Sequence, residues 1–232
     1  MAISIVSSRQ AAALHGIKCL VYGKAGHGKT YLARTAPKPI ILSAESGMLS
    51  LRDVDIPVIT IRSVEDLSEA YTWALGSAEA KAFDTIYIDS ISEIGEVVLS
   101  NAKAQVKDPR QAYGELIEKM MMTLKGFRDI SGKHVVMAAK QSTLSDSVTG
   151  TVTYGPSMPG ARLGAELPYL FDEVFQIGIG KTPDGVEYRY LRTHPDIQSE
   201  AKDRSGVLDV LEPPDLTHIF NKILTQQQPT KE

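Results

Sequence analysis

Short apolar runs separated by amphipathic stretches set the pattern of the first 140 residues. Ile17 to Tyr22, Pro39 to Ser43, Pro57 to Ile61, Thr85 to Asp89 and His134 to Ala139 are each bounded by polar residues or turn formers and show no inside–outside alternation. They read as strands buried on both faces, which is the habit of a parallel sheet. Between them, apolar residues recur at three- and four-residue spacing and predict helices. The first runs from the Gly28 turn to about Ala36, where Pro37 and Pro39 end it. The second starts at Ser63, with Asp66 three residues on as a capping pair, and reaches about Ala80. A third runs from Ser90 to about Val106 and a fourth from Gln111 to Asp129, with a break near Asp108-Pro109. The stripe Tyr113, Leu116, Ile117, Met120, Leu124 and Phe127 has core spacing and reads as packing. Alternating strands and helices predict an α/β fold, a mainly parallel central sheet flanked by helices.

Both ends of the chain and its second half break this rhythm. Residues 1–16 read as a partly ordered lead-in with a helical turn at Ala11 to Leu14. Gln141 to Gly164 is rich in Ser, Thr, Gly and Pro, has no sustained period and reads as a mobile functional loop. Phe171 to Ile179 and Val186 to Thr193 predict an antiparallel edge hairpin turning at Pro183-Asp184-Gly185. A short helix begins near Asp215, and residues 226–232 predict a frayed tail. With no linker composition and no internal repeat, 1–232 reads as a single domain.

Composition changes this picture little. A net charge of −3 carries no bulk signature of nucleic-acid binding, although a local basic groove stays open. The single cysteine, Cys19, excludes an internal disulfide and a multi-cysteine metal site, and reads as buried filler in the first strand. His194 and Asp196 have no partner pattern that suggests a metal. No signal segment or bilayer-length apolar stretch is present, so the expectation is a cytoplasmic protein with no membrane partner.

The candidate chemistry begins where the first strand ends. Gly23-Lys24-Ala25-Gly26-His27-Gly28-Lys29-Thr30-Tyr31 places G-x-x-x-x-G-K-T between a strand and a helix. Gly23, Gly26 and Gly28 permit backbone conformations closed to other residues, so successive N–H groups can turn onto an anion. The helix adds its positive end. Lys29 can reach the β- and γ-phosphates of ATP, and the Thr30 hydroxyl can ligate Mg²⁺. Asp89, at the carboxyl end of a buried strand, is placed to hold Mg²⁺; an N-cap role is the competing reading, which Ser90 could equally fill. Glu45, at the end of the second strand, could take the proton of an attacking water or be a solvated loop acid.

These residues together resemble the RecA-type P-loop ATPase core. The resemblance implies that Glu45 is the catalytic base. It implies a γ-phosphate sensor at Gln141, with Lys140 behind it, coupled to a DNA-binding loop that follows. Pro156 to Gly160, Glu166 to Asp172 and Ala201 to Gly206 are similar to short phage-encoded RecA-like proteins, a core-only group associated with single-strand annealing and recombination. That resemblance implies a host-cytoplasmic phage protein that binds single-stranded DNA and self-associates as a ring or filament, with a single-strand-binding protein as accessory partner. It implies Lys202 and Arg204 as cations reaching a neighbouring subunit's γ-phosphate. DNA contacts have two candidate sources: Lys103, Lys107 and Arg110 in a stretch with excess basic charge, and Arg162 and Tyr154 in the Gln141 to Gly164 segment. Two other classes remain open: an ATP-driven helicase, loader or packaging motor, and a nucleotide-binding regulatory switch that touches no DNA.

Overall fold

Parallel pairing among the doubly buried runs builds the centre of the molecule. In the computed structural model, which describes residues 5–45, 47–145 and 150–225, β1 (Lys18–Gly23) lies between β5 (His134–Ser145) and β7 (Glu173–Lys181) and is parallel to both. The sheet continues from β5 to β4 (Thr85–Asp89), β2 (Pro39–Ser43) and β3 (Val58–Thr60), all parallel. On the other side β7 pairs antiparallel with β8 (Glu187–Arg192), and β8 with β10 (Leu211–Glu212). The full order is β10-β8-β7-β1-β5-β4-β2-β3. The expected α/β fold, with its mainly parallel sheet and antiparallel edge hairpin, is therefore present.

Alternation along β1 feeds two cores. Leu20 and Tyr22 pack with α3 (Val64–Gly76), α4 (Ile91–Gln105) and α5 (Pro109–Arg128) through Leu67, Val98, Leu116, Met120 and Phe127. Cys19 and Val21 face the other way, with Leu32, Tyr87 and Phe175, and are covered by α7 (Leu216–Thr225) through Leu216, Ile219, Phe220 and Ile223. Each such aliphatic or aromatic side chain contributes about 1.5–3 kcal/mol of transfer free energy when fully buried.

The expected helix after the phosphate loop is shorter than its pattern suggested. It is α2 (Lys29–Leu32), which tightens into a 3₁₀ turn over Ala33–Thr35 before the Pro37 stop. The second helix likewise ends at Gly76, with a separate 3₁₀ turn at Glu79–Ala82. The Ser63–Asp66 capping box is present in both directions. At the N-terminus α1 (Ser8–His15) is longer than a single turn because Ser7 and Gln10 cap it reciprocally.

The largest departure is the Gln141 to Gly164 segment. β5 does not stop at Ala139; it runs on to Ser145 and pairs antiparallel with β6 (Val152–Ser157) as a two-stranded ribbon. Residues 146–149 lie outside the described residues. Thr, Val and Tyr favour strand, but a ribbon with little buried face shows no hydrophobic period. A helix, α6 (Ala161–Glu166), follows.

β9 (Lys202–Asp203) pairs with the start of β7 and sets Glu173 opposite Asp203. Glu173 is buried; Oε1 accepts from the Ser205 N–H at 3.2 Å, and Oε2 has no hydrogen-bond partner among the described residues. Burial first, then the neighbouring Asp203 charge, push its carboxyl up from 4.5 to about 8. A raised carboxyl pKa means that the folded chain holds a proton that the unfolded chain has lost. Stability from this site is complete below pH 4.5 and drains as pH rises towards 8. The Glu173→Gln variant should lose less thermal stability than the parent between pH 5 and pH 8, as measured by differential scanning calorimetry. Equal pH slopes would contradict the assignment.

Candidate nucleotide-binding site

The site lies on the rim where the parallel strands end. β1 ends at Gly23, beside Lys140 of β5; β4 ends at Asp89, beside Ser43 of β2. Open α/β sheets present ligand sites on this carboxyl rim.

The loop between β1 and α2 is held in shape by its neighbours. A Cβ on Gly23 would come within 2.5 Å of Ile177 Cγ2 and 2.9 Å of the Ile177 carbonyl oxygen, so only glycine allows β7 to pack this close. His27 Nδ1 lies 3.1 Å from the same carbonyl. Gly28 has φ +102°, a conformation that L side chains rarely adopt. Because α2 is a single turn, binding of an anion rests on the loop N–H groups and on Lys29 more than on a long helix dipole. Lys29 Nζ donates to the carbonyls of Gly23 (2.9 Å) and Lys24 (3.0 Å) within its own loop. Burial lowers its pKa from 10.5, against the opposing pull of the Asp89 and Glu45 charges.

Thr30 Oγ1 donates to Asp89 Oδ2 at 2.6 Å. Asp89 is buried, and its Oδ1 has no hydrogen-bond partner among the described residues. Burial raises this carboxyl from 3.8 to about 6; the Glu45 charge adds to the rise, and the Thr30 hydrogen bond and Lys29 oppose it. An orphaned carboxylate oxygen beside a hydroxyl is an all-oxygen donor set that fits Mg²⁺. No group of three or more His, Cys, Asp or Glu among the described residues could hold a metal alone, so ligand phosphates would have to complete the shell.

Glu45 is half-buried on the same rim, and its Oε1 accepts from Ser90 Oγ at 2.9 Å. Ser90 also caps α4, accepting from the Glu93 N–H at 3.3 Å. One serine thus fills both the capping role that competed for Asp89 and a positioning role for Glu45. Gln141 Oε1 accepts from Gln176 Nε2 at 3.2 Å, which ties the start of the ribbon to β7. Lys140 Nζ pairs with Glu93. The phosphate loop, Glu45, Ser50, Lys140 and Gln141 line one open cleft of about 880 Å³. The structure therefore gathers the phosphate-loop residues, Thr30, Glu45 and both members of the Lys140–Gln141 pair around one space, with Asp89 behind Thr30.

Other expected site residues lie elsewhere. Lys202 Nζ donates to the carbonyls of Pro168 (3.2 Å) and Phe171 (2.5 Å), and Arg204 pairs with Asp172 at 2.7 Å. Both sit by the start of β7, on the rim opposite this chain's own cleft. Tyr154 is half-buried in β6, with Lys24 Nζ 5.7 Å from its ring centroid, so it borders the phosphate loop rather than standing free. Lys103, Lys107 and Arg110 are exposed around the α4–α5 connection, and Arg162 is exposed and paired with Glu166 at 2.8 Å. Lys103 Nζ lies 5.6 Å from the Tyr113 ring centroid, and a Cβ on Gly160 would lie 3.6 Å from Tyr113 Cδ1. The two rival basic segments thus approach each other around Tyr113. Between Gln141 and Gly160 the sequence holds no Lys or Arg.

Arg189, on β8, is a cleft residue that the sequence pattern did not single out. It stands among several charged residues of an exposed hairpin, and only the pairing of β8 with β7 brings it to the loop.

Comparison with known proteins gives three findings. No curated protein sequence matches the chain. Among solved structures, the KaiC-like protein PH0186 from the hyperthermophilic archaeon Pyrococcus horikoshii OT3 is 14% identical, with a TM-score of 0.43 over 76% of this chain and 77% of that one. The RadB recombinase is 13% identical, with a TM-score of 0.40 over 86% of this chain and 91% of that one. The family model described as AAA domain (AAA_24) matches residues 15–205, a span that holds the phosphate loop, Glu45, Asp89, the ribbon and the hairpin; the chain belongs to that AAA-domain family.

Proposed function

We propose that the chain is a RecA-like ATPase whose nucleotide state governs binding of single-stranded DNA, working in phage recombination by single-strand annealing or strand exchange. One observation carries this reading: β5 leaves the cleft at Lys140 and Gln141 and continues without a break as the exposed ribbon. A group that touches the nucleotide and a strand that can touch DNA are then the same piece of backbone.

In this reading the phosphate-loop N–H groups and Lys29 hold the triphosphate, and Lys29 gives up its two loop carbonyls to do so. Thr30 and Asp89 would hold Mg²⁺, which supplies charge neutralisation at the phosphates. Glu45, oriented by Ser90, accepts a proton from water as the water oxygen attacks the γ-phosphorus. The bond to the ADP oxygen breaks, leaving ADP and inorganic phosphate. Gln141 senses the γ-phosphate and passes its presence to the ribbon, with Lys140 beside it. DNA phosphates meet Lys103, Lys107, Arg110 and Arg162, while Tyr154, midway along the ribbon opposite Thr143, offers a ring for stacking. Lys202 and Arg204 face away from their own cleft, which suits contact with a neighbour's cleft in a ring or filament; each would have to leave its present partner.

A second reading, a nucleotide-driven regulatory switch without DNA, draws on the lack of Lys and Arg between Gln141 and Gly160 and on the net charge of −3. Four changes separate the two. Replacing Lys103, Lys107, Arg110 and Arg162 together by Ala should weaken binding of single-stranded DNA at least about tenfold and flatten its salt dependence, by fluorescence anisotropy with ATP present. Unchanged binding would favour contact elsewhere, and no binding by the parent would favour the switch.

The Glu45→Gln variant should bind ATP normally while turnover falls about 100-fold or more, the range expected for loss of a general base. Normal hydrolysis by that variant would remove Glu45 from the mechanism.

A further inference from the structure

We infer that Arg189 is a phosphate ligand of the bound nucleotide, supplied in cis by the β7–β8 hairpin. The inference rests on the nucleotide reading of the cleft and adds a residue to it.

Arg189 lines the cleft together with Lys29, Thr30 and Glu45. Its Nε lies 3.3 Å, and its Cδ 3.4 Å, from where a Cβ on Gly28 would stand. Gly28 is thus bare on the side where the guanidinium crosses the loop. The contact is within one chain and needs no neighbour.

The Arg189 side chain has no competing occupation. Among the described residues Arg189 makes no ion pair or side-chain hydrogen bond. Of the other nearby cations, Lys24 lies over the Tyr154 ring at 5.7 Å from its centroid, Lys29 is held by two loop carbonyls, Lys140 by Glu93, Lys181 by Glu187 at 3.4 Å and Arg192 by Asp196 at 3.1 Å. A guanidinium left free beside a loop of convergent N–H groups faces a site that calls for an anion.

Register holds it there. Arg189 pairs with Ile179, two residues on from Ile177, whose side chain meets Gly23 and whose carbonyl meets His27. On the other face of the hairpin, Tyr190 lies over Gly178 and Tyr188 over Gly180; a Cβ at these glycines would come within 2.4 Å and 2.8 Å of the rings. With those rings filling the glycine positions, a one-residue slip that would turn Arg189 away is blocked. A planar fork of donors suits phosphate oxygens in a way that an ammonium point charge does not.

The test uses the full chain and isothermal titration calorimetry with Mg²⁺ and ATP. Arg189→Ala should weaken ATP binding by about ten- to a hundredfold, the usual scale for a charge-assisted hydrogen bond. Arg189→Lys should recover part of the loss. The melting temperature without nucleotide should stay at the parent value, because no protein partner is lost. An Arg189→Ala affinity within about twofold of the parent would overturn the assignment, provided that Lys29→Ala, run beside it, loses binding. If Lys29→Ala also binds like the parent, the nucleotide reading of the cleft fails, and Arg189 with it. A mixture decides cis from trans: Lys29→Ala keeps Arg189 but lacks a working loop, and Arg189→Ala has the reverse. ATPase activity of the mixture should not exceed the sum of its parts. Recovery towards the parent rate would mean that Arg189 serves a neighbouring subunit, and would overturn the cis assignment.

Discussion

Parallel hydrogen bonding of β1 to both β5 and β7 is the constraint on which the site depends. It sets Gly23 beside Lys140 on one flank and brings Ile177 against the same glycine on the other. Because β4 pairs with β5 in the same sense, Asp89 ends on that rim as well, next to Ser43 and within reach of Thr30. A slip of one residue in any of these pairings would send buried side chains to the wrong face, so the two cores enforce the register. The geometry of the cleft is therefore a product of how Cys19, Leu20, Val21 and Tyr22 pack, in the strand that leads directly into it.

Two buried carboxyls show how the same physics serves different ends. Glu173, at the start of β7, shares its surroundings with Asp203 and is held towards its protonated form. Asp89, at the end of β4, is also raised by burial and, like Glu173, keeps one oxygen without a partner among the described residues; it differs in that its other oxygen takes the Thr30 hydroxyl, next to the phosphate loop, with no second acid paired opposite. Burying an anion with unmet demand costs stability unless something positive arrives. At Asp89 the unmet oxygen lies beside the phosphate loop, and in the proposed nucleotide reading the cation would come with the ligand.

What the sequence disclosed follows from how local each signal is. β2 and β4 are legible to the residue because a strand buried on both faces must be apolar throughout, and turn formers bracket it. The phosphate loop is legible because its glycines answer backbone demands that act over a few residues. The ribbon is not, since a strand pair with little buried face leaves no hydrophobic period, and its Ser/Thr content looks like loop. α2 is shorter than its pattern because the turn into Pro37 tightens early. Ser90 holding Glu45, Gln176 holding Gln141, and Arg189 over Gly28 all join residues at least 35 positions apart, and no local pattern encodes them. The partners of Lys202 and Arg204 are non-local in the same way and became visible only once β9 was placed against β7.

The account comes down to whether the cleft over Gly28 receives a triphosphate with its metal. A structure of the chain with Mg²⁺ and a slowly hydrolysed ATP analogue tests that most directly. The account predicts phosphates wrapped by the loop from Gly23 to Thr30, Lys29 Nζ released from the Gly23 and Lys24 carbonyls onto phosphate oxygens, and the metal on the Thr30–Asp89 side of the cleft. Nucleotide bound away from this loop, or a loop that still holds Lys29 on its own carbonyls beneath a bound triphosphate, would contradict it.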